Sequence, residues 1–280
     1  MPTVSNRARL FSIVQSRQNA RVRELRAALT RSGPDASEVI GIEGEHLLAE
    51  AVRSGLRLRT VFVRADPDER SLRRLDRLDI PPAVPLVSLN PAVFASAVET
   101  ESPQGIAAIA EVPQFSLREV LSAPRPLLLI AAALQDPGNF GTLVRSAEAF
   151  GAAGVLALPG TVSIWNGKAL RASAGSAFRV PVLSEKSSAV FSALAEHHIP
   201  VFAALPASAD PDAIPCTRAK LAGPAAILIG NEGGGLSAEL LEHAQARIAI
   251  PTPGPVESLN AAIAASILLY EAARQRAGLA

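Results

Sequence analysis

Three stretches of the chain combine glycine with polar or basic side chains in ways that suit a bound ligand. The first is Gln135-Asp136-Pro137-Gly138-Asn139-Phe140-Gly141, with Arg145 four residues further on. Glycines allow close backbone approach, and Asn139 offers donors and an acceptor. Arg145, one turn into a following helix, would lean back over the loop. The same residues also fit a tight turn followed by a surface charge. The second stretch is Gly230-Asn231-Glu232-Gly233-Gly234-Gly235-Leu236-Ser237. Four glycines in six positions cost backbone entropy, which a chain accepts where main chain wraps a ligand or takes positive φ. The alternative is a flexible turn before a helix capped by Ser237, and Glu232 among the glycines argues against it. The third stretch runs from Ile250 to Asn260. Its three prolines and one glycine make it stiff and irregular, and it ends in Ser258 and Asn260 at the start of a long apolar helix. Ser258 is the expected N-cap, and free N–H groups at a helix start bind polar ligands. Between the first two stretches, Lys168 and Arg171 are suited to phosphates, and Trp165 is expected in the core.

Regular elements must hold these stretches. Short apolar runs at Leu127–Leu134, Gly154–Leu158, Arg179–Leu183, Pro200–Leu205, Ala225–Ile229 and Arg247–Ile250 alternate with helical stretches at Gly141–Phe150, Ser187–His197, Ser237–Ala246 and Leu259–Arg276. Continuous apolar strands separated by helices predict a parallel sheet covered on both faces. In such sheets ligands bind beyond the carboxyl ends of the strands. The N-terminal part reads as a small α/β unit: helix over residues 1–30, broken at Gly33-Pro34-Asp35, a helix at Glu45–Ser54 ended by Gly55, a strand at Leu58–Val63, a charged helix at Asp68–Leu78 and a strand at Ala107–Val112. Pro113, Pro124 and Pro126 place a linker at 113–126. No internal repeat is visible.

Composition excludes several classes. Apolar residues make up 49% and charged residues 19% of the 280, the balance of a folded chain. A single cysteine, Cys216, rules out an internal disulfide and a multi-cysteine zinc site, and the four histidines form no H-E-x-x-H pattern. No metal is expected. No early apolar run suits a signal peptide, and Leu259–Tyr270 falls short of the ~20 residues of a spanning helix. A reducing cytoplasm is the expected location. Net charge is only +1, but residues 1–31 carry seven arginines, among them Arg17, Arg21 and Arg23, against the one acid Glu24. That arm suits a phosphate backbone, and equally a solvated helix face. The glycine spacing is not G-x-G-x-x-G, and no P-loop Lys-Ser/Thr follows, so a Rossmann-type or nucleoside-triphosphate site is poorly supported.

Taken together and in this order, the three stretches resemble the SpoU/TrmH family of the SPOUT superfamily, S-adenosylmethionine-dependent RNA ribose 2′-O-methyltransferases. The matching patterns are Asp136-Pro137-x-Asn139-x-Gly141-x-x-x-Arg145, Gly230-Asn231-Glu232-Gly233-x-Gly235-Leu236 and Ile250-Pro251-x-x-Gly254-x-x-x-Ser258-Leu259-Asn260. Arg171-Ala172-Ser173-Ala174-Gly175, Ile42-Glu43-Gly44 and Ser102-Pro103-Gln104-Gly105-Ile106 are similar to the family as well, so the likeness covers nearly the whole chain. Thr252, Ala261 and Ala262 depart from common family residues, and no side chain with proposed chemistry is lost.

The resemblance implies an α/β fold: an RNA substrate-binding domain at 1–112 with a basic arm, a linker at 113–126, and a parallel-sheet methyltransferase domain at 127–280 with a deep trefoil knot. It implies a homodimer with a site shared across the interface. It implies S-adenosylmethionine held by Gly230, Asn231, Gly233, Ile250 and Leu259. It assigns catalysis to Arg145, supported by Asn139, Glu232, Ser258 and Asn260, with RNA met by Arg17, Arg21, Arg23, Lys168 and Arg171. The expected substrate is ribosomal RNA ahead of transfer RNA. The competing reading is a non-catalytic RNA-binding or ribosome-assembly factor of the same fold, against which an intact Arg145 and cofactor loop speak.

Overall fold

The computed structural model describes residues 6, 13–30, 39–66, 73, 75–231 and 233–278. Its contacts divide the chain into two units: Met1–Pro113 with Trp165–Gly167, and Gln114–Ile164 with Lys168–Ala280.

The first unit runs β1 (Ile13–Val14), α1 (Ala20–Thr30), β2 (Val39–Glu43), α2 (Glu45–Arg53), β3 (Leu58–Arg64), β4 (Leu86–Leu89), α3 (Pro91–Ala97) and β5 (Ile106–Glu111). Its sheet has the order β1-β4-β3-β5-β2. β1, β4 and β3 run parallel, while β5 is antiparallel to both of its neighbours. The expected helix over residues 1–30 is corrected here, because Ile13 and Val14 pair with β4 and the helix starts only at Ala20. Asn19 enforces that start: its side chain accepts from the Arg21 N–H, as short polar side chains do just outside a helix. α1 then buries Val22, Leu25, Ala28 and Leu29, one stripe at helical spacing, while Arg17, Arg21 and Arg23 stay exposed. Gly55 follows α2 at φ +68°, the left-handed turn expected past a helix end. The Gly33-Pro34-Asp35 break and most of the Asp68–Leu78 helix lie outside the described residues. β2 and β4 were not anticipated. They are short apolar runs of the kind that periodicity alone cannot separate from helix.

The second unit opens with α4 (Leu117–Leu121), inside the proline-marked stretch 113–126. Ser116 and Glu119 cap it reciprocally, and Val120 and Leu121 enter the core of this unit. There follow β6 (Leu127–Ala131), α5 (Pro137–Ala149), β7 (Gly154–Ala157), α6 (Gly167–Ala172), β8 (Val182–Ser184), α7 (Ser187–Glu196), β9 (Val201–Ala204), β10 (Ile214–Pro215), β11 (Ala225–Ile229), α8 (Ala238–Glu242), β12 (Ala246–Ala249) and α9 (Ala261–Arg276). The strands form one sheet in the order β10-β12-β9-β11-β6-β7-β8, with every pairing parallel. β6 and β11, its centre, are buried along their whole length, as their unbroken apolar text predicts. Trp165 is half-buried, not a core residue.

Gly141 is a point where two helices cannot part. A methyl group there would lie 2.2 Å from the Ala169 carbonyl and 2.9 Å from the Ser173 backbone nitrogen. The Arg171–Gly175 stretch therefore packs directly on α5, with Ser173 fully buried and donating to the Leu170 carbonyl. We predict that Gly141→Ala, which must displace backbone, costs about 3 kcal/mol or more and lowers the melting temperature markedly. Gly254→Ala, with nothing within 4 Å of the new methyl, is expected to melt with the parent. Thermal unfolding by circular dichroism compares the two.

Candidate functional site

Because every strand of the larger sheet runs the same way, the loops after β6, β9, β11 and β12 all leave from one edge. The loop after β6 is shorter than expected. Asp136 is an N-cap whose carboxylate accepts from the Asn139 N–H at 2.7 Å, and Pro137 takes the first helical position, where its missing N–H is no loss. Gly138, Asn139 and Gly141 thus lie in α5 itself. Arg145 sits more than two turns into that helix, not one, and is exposed. Lys168 Nζ reaches the other oxygen of Asp136 at 3.1 Å. The Asn139 N–H and then Lys168 hold the Asp136 carboxyl below the usual carboxylate range.

The glycine-rich loop after β11 closes on itself. The Asn231 carbonyl accepts from the Gly235 N–H, and the Asn231 side chain accepts from the Gly233 and Gly234 N–H groups. A methyl at Gly230 would lie 2.4 Å from the Gly235 carbonyl oxygen, so the returning strand of the loop, and not a ligand, is what excludes a side chain there. Gly235 itself adopts φ +62°. Glu232 lies outside the described residues.

After β12, the third stretch leads to α9. The expected cap, Ser258, is corrected to Asn260, whose side-chain oxygen accepts from the Ala262 and Ile263 N–H groups at 2.9 and 3.2 Å. The helix begins at Ala261, so Ser258 is too far upstream to reach those donors. Asn260 also uses its amide nitrogen, donating to Asn139 Oδ1 at 3.0 Å. One asparagine pair thereby ties the start of α9 to the start of α5. Further along, the Ser146 and Ser266 hydroxyls meet at 2.7 Å, and Phe150 packs edge-on against Tyr270.

The second and third stretches enclose a cavity of about 610 Å³, within the range of small-molecule sites. Gly230, Asn231, Gly233, Ile250, Ser258 and Leu259 all line it. Part of its wall carries no signal in the sequence: Ala204 at the end of β9, Leu205, Pro206, Ala207, Ala209 and Asp210 after it, and Arg247 on β12. The rule that ligands bind beyond strand ends applied to that loop as well, but its Pro-Ala-Ser-Ala-Asp text carries no glycine signal. Arg145, Asn139, Asn260, Lys168 and Arg171 do not line the cavity. Arg171 is exposed on α6, and Arg17, Arg21 and Arg23 belong to the other unit. The cavity suits a nucleoside-sized group, because backbone amides, apolar Ile229, Leu236 and Leu268, and a few polar side chains surround it. Among the described residues no group of three or more His, Cys, Asp or Glu is placed to hold a metal ion, and no helix is long and apolar enough to cross a membrane.

Comparison with known proteins agrees on both units. Residues 126–270 match the SpoU rRNA Methylase family, and residues 19–108 match the MRM3-like substrate binding domain. The chain is 34% identical to the 23S rRNA (guanosine(2553)-2'-O)-methyltransferase RlmP of Bacillus subtilis, over 92% of this chain and 97% of that protein. A crystal structure of an RNA 2'-O ribose methyltransferase is 32% identical and superposes with a TM-score of 0.76, covering 95% of this chain and all of the other. An AdoMet-bound rRNA methyltransferase from Sinorhizobium meliloti is 25% identical and superposes with a TM-score of 0.81 over 95% of this chain and 98% of its own.

The Asp136 cap yields a measurable expectation. Asp136→Ala removes it and should cost about 1 kcal/mol in denaturant unfolding, whereas Asp136→Asn keeps an equally good cap. The fold depresses the carboxyl pKa. The stability gained from ionised Asp136 is therefore complete above the unfolded-state value near pH ~4 and is lost as pH falls through the lower folded value. The stability difference between the parent and Asp136→Asn should shrink over that acid window. A difference independent of pH would contradict the assignment.

Proposed function

The chain belongs to the SpoU rRNA methylase family, and from that premise we propose that it methylates a ribose 2′-hydroxyl in structured RNA, ribosomal ahead of transfer RNA, with S-adenosylmethionine as donor. The observation that carries the reading is the shared cavity: the glycine-rich loop and the Ile250–Asn260 stretch line one space, and the Asn139–Asn260 bond joins the first stretch to its rim. The family resemblance supports a deep trefoil knot in this half, and a cytoplasmic location is part of the same reading.

The donor supplies a methyl group on a positively charged sulfur, and the chain must place a sugar oxygen in line with it. Backbone of the Gly230–Gly235 loop, with Ile250 and Leu259, holds the adenosine part. Alignment of two bound reactants supplies much of the acceleration. An alcohol is a weak nucleophile until its proton is weakened or taken. A guanidinium is a poor base, so Arg145 grips a target phosphate and stabilises the developing alkoxide, and a substrate phosphate assists proton transfer. Asn139, Glu232, Ser258 and Asn260 orient the ribose, Arg145 or the cofactor.

Arg145 is exposed and does not line the cavity of its own chain. That supports a homodimer in which each cavity is completed by the partner. Ile263 and Tyr270, 53% and 55% exposed on α9, offer apolar surface for the pairing. In the division of labour we propose, residues 1–112 recognise RNA, 113–126 link, and 127–280 carry out the transfer.

Mapping ribose methylation in cellular RNA with and without the protein tests the reading, with a single lost 2′-O-methyl group expected. RNA binding with no methylated ribose would favour the non-catalytic alternative. Arg145→Lys keeps the charge but loses the planar fork, and should slow transfer about a hundredfold while cofactor binding by calorimetry is unchanged. Replacing the exposed Arg17, Arg21 and Arg23 with glutamine, which leaves the buried stripe of α1 in place, should weaken RNA binding and flatten its salt dependence. An unchanged salt slope would make the arm idle.

A further inference from the structure

The wall of the cavity after β9 contains a charged group that none of the three stretches accounts for. Asp210 lines the cavity with its side chain 11% exposed. One carboxylate oxygen, Oδ2, accepts from Arg247 Nη1 at 3.0 Å, and the other, Oδ1, accepts from the Asp212 N–H at 3.0 Å. Arg247 is on β12 and also lines the cavity, with its own side chain 53% exposed. The loop is fastened on its other side too, where Ser208 Oγ donates to the Glu257 carbonyl at 3.0 Å in the third stretch. Asp210 is thus a carboxylate held on two sides, at the edge of a space walled by glycine backbone, aliphatic side chains and the polar residues Asn231, Thr252, Glu257 and Ser258.

A carboxylate has about four lone-pair positions. The two bonds described leave acceptor capacity at both oxygens. The ribose of an adenosine presents two adjacent hydroxyl donors, and a carboxylate is the acceptor that matches a vicinal diol, as it does on the ribose of dinucleotide cofactors. Arg247 offsets the charge and fixes one oxygen, so little ordering is left to be done when a ligand arrives.

We propose that Asp210 is a cofactor-binding residue that accepts the hydroxyls of the S-adenosylmethionine ribose, anchored for that task by Arg247. The proposal rests on reading this cavity as the cofactor site. It makes the loop after β9 a fourth element of the site, contributed by a stretch with no glycine signature.

The test is calorimetry on the full chain with two probes. S-adenosylhomocysteine carries both the ribose diol and the amino-acid part, and 5′-methylthioadenosine carries the diol alone. Asp210→Asn preserves the acceptor for the Asp212 N–H but removes the charge and one acceptor oxygen. It is expected to weaken both probes about tenfold or more, by the same factor, with the melting temperature within a few degrees of the parent. Unchanged affinity for both probes overturns the proposal. Weakening confined to S-adenosylhomocysteine also overturns it, assigning Asp210 to the ammonium of the amino-acid part. Should Asp210→Asn unfold the loop and lower the melting point, Arg247→Gln is the second variant. It is expected to weaken both probes several-fold, and parental affinity would sink the idea. Failure of the parent protein to bind S-adenosylhomocysteine is a different result, which removes the cofactor reading itself.

Discussion

Parallel backbone pairing across seven strands is the constraint on which the larger unit depends. Leu127 to Ala131 of β6 pairs residue for residue with Ala225 to Ile229 of β11, and the strands on either side continue in the same sense. A parallel ladder cannot be joined by hairpins, so each connection must cross back over the sheet, in most cases through a helix. The result is that every strand delivers its carboxyl end to one edge. Loops far apart in the chain, after β9, β11 and β12, therefore face a common cavity. The site is a consequence of strand direction before it is a consequence of any particular side chain.

Helix α9 fastens this arrangement at both ends. At its start, Asn260 spends its oxygen on the first helical N–H groups and its nitrogen on Asn139, so one side chain serves as cap and as tie. At its end, Gln275 bonds both the Ala219 carbonyl and the Leu221 N–H, and Arg276 donates to the Leu221, Arg125 and Gly223 carbonyls. Those acceptors lie just before β6 and β11, the two central strands. Burial of the Arg276 guanidinium among carbonyls pulls its pKa down. Carbonyl groups in irregular backbone near a core need donors, and a five-donor fork supplies several at once. The helix that forms one rim of the cavity is in this way clamped to the segments that lead into the two central strands, of which β11 brings Ile229 to the cavity.

The pattern of what was readable follows from the range of the interactions. The apolar runs of β6, β7 and β11 and the helix of α7 are local properties of the text, and they appear where expected. The sequence predicts too long an N-terminal helix because an arginine-rich stretch has good helix propensity. Only pairing with β4, more than seventy residues away, converts Ile13 and Val14 to strand. Ser258 was the expected cap of α9 because both Ser258 and Asn260 are good cap residues. Which one caps is decided by where the helix begins, and that is set by packing. Asp-Pro-Gly-Asn fits a turn before a helix, yet proline suits the first helical position as well as a turn, and here Pro137 opens the helix.

The residue types, their order and the three motif stretches were set by the sequence alone, and they sufficed to suggest the family, its cofactor and a parallel-sheet half. Tertiary structure alone decided that Asn139 and Asn260 touch, that Gly230 is a glycine for the sake of its own loop, that Arg145 stands outside the cavity of its chain, and that Asp210 and Arg247 are part of its wall. The reason is physical. A motif records which groups the chain offers, whereas distances between groups a hundred residues apart are fixed by strand register and helix packing, and neither leaves a mark in the local text.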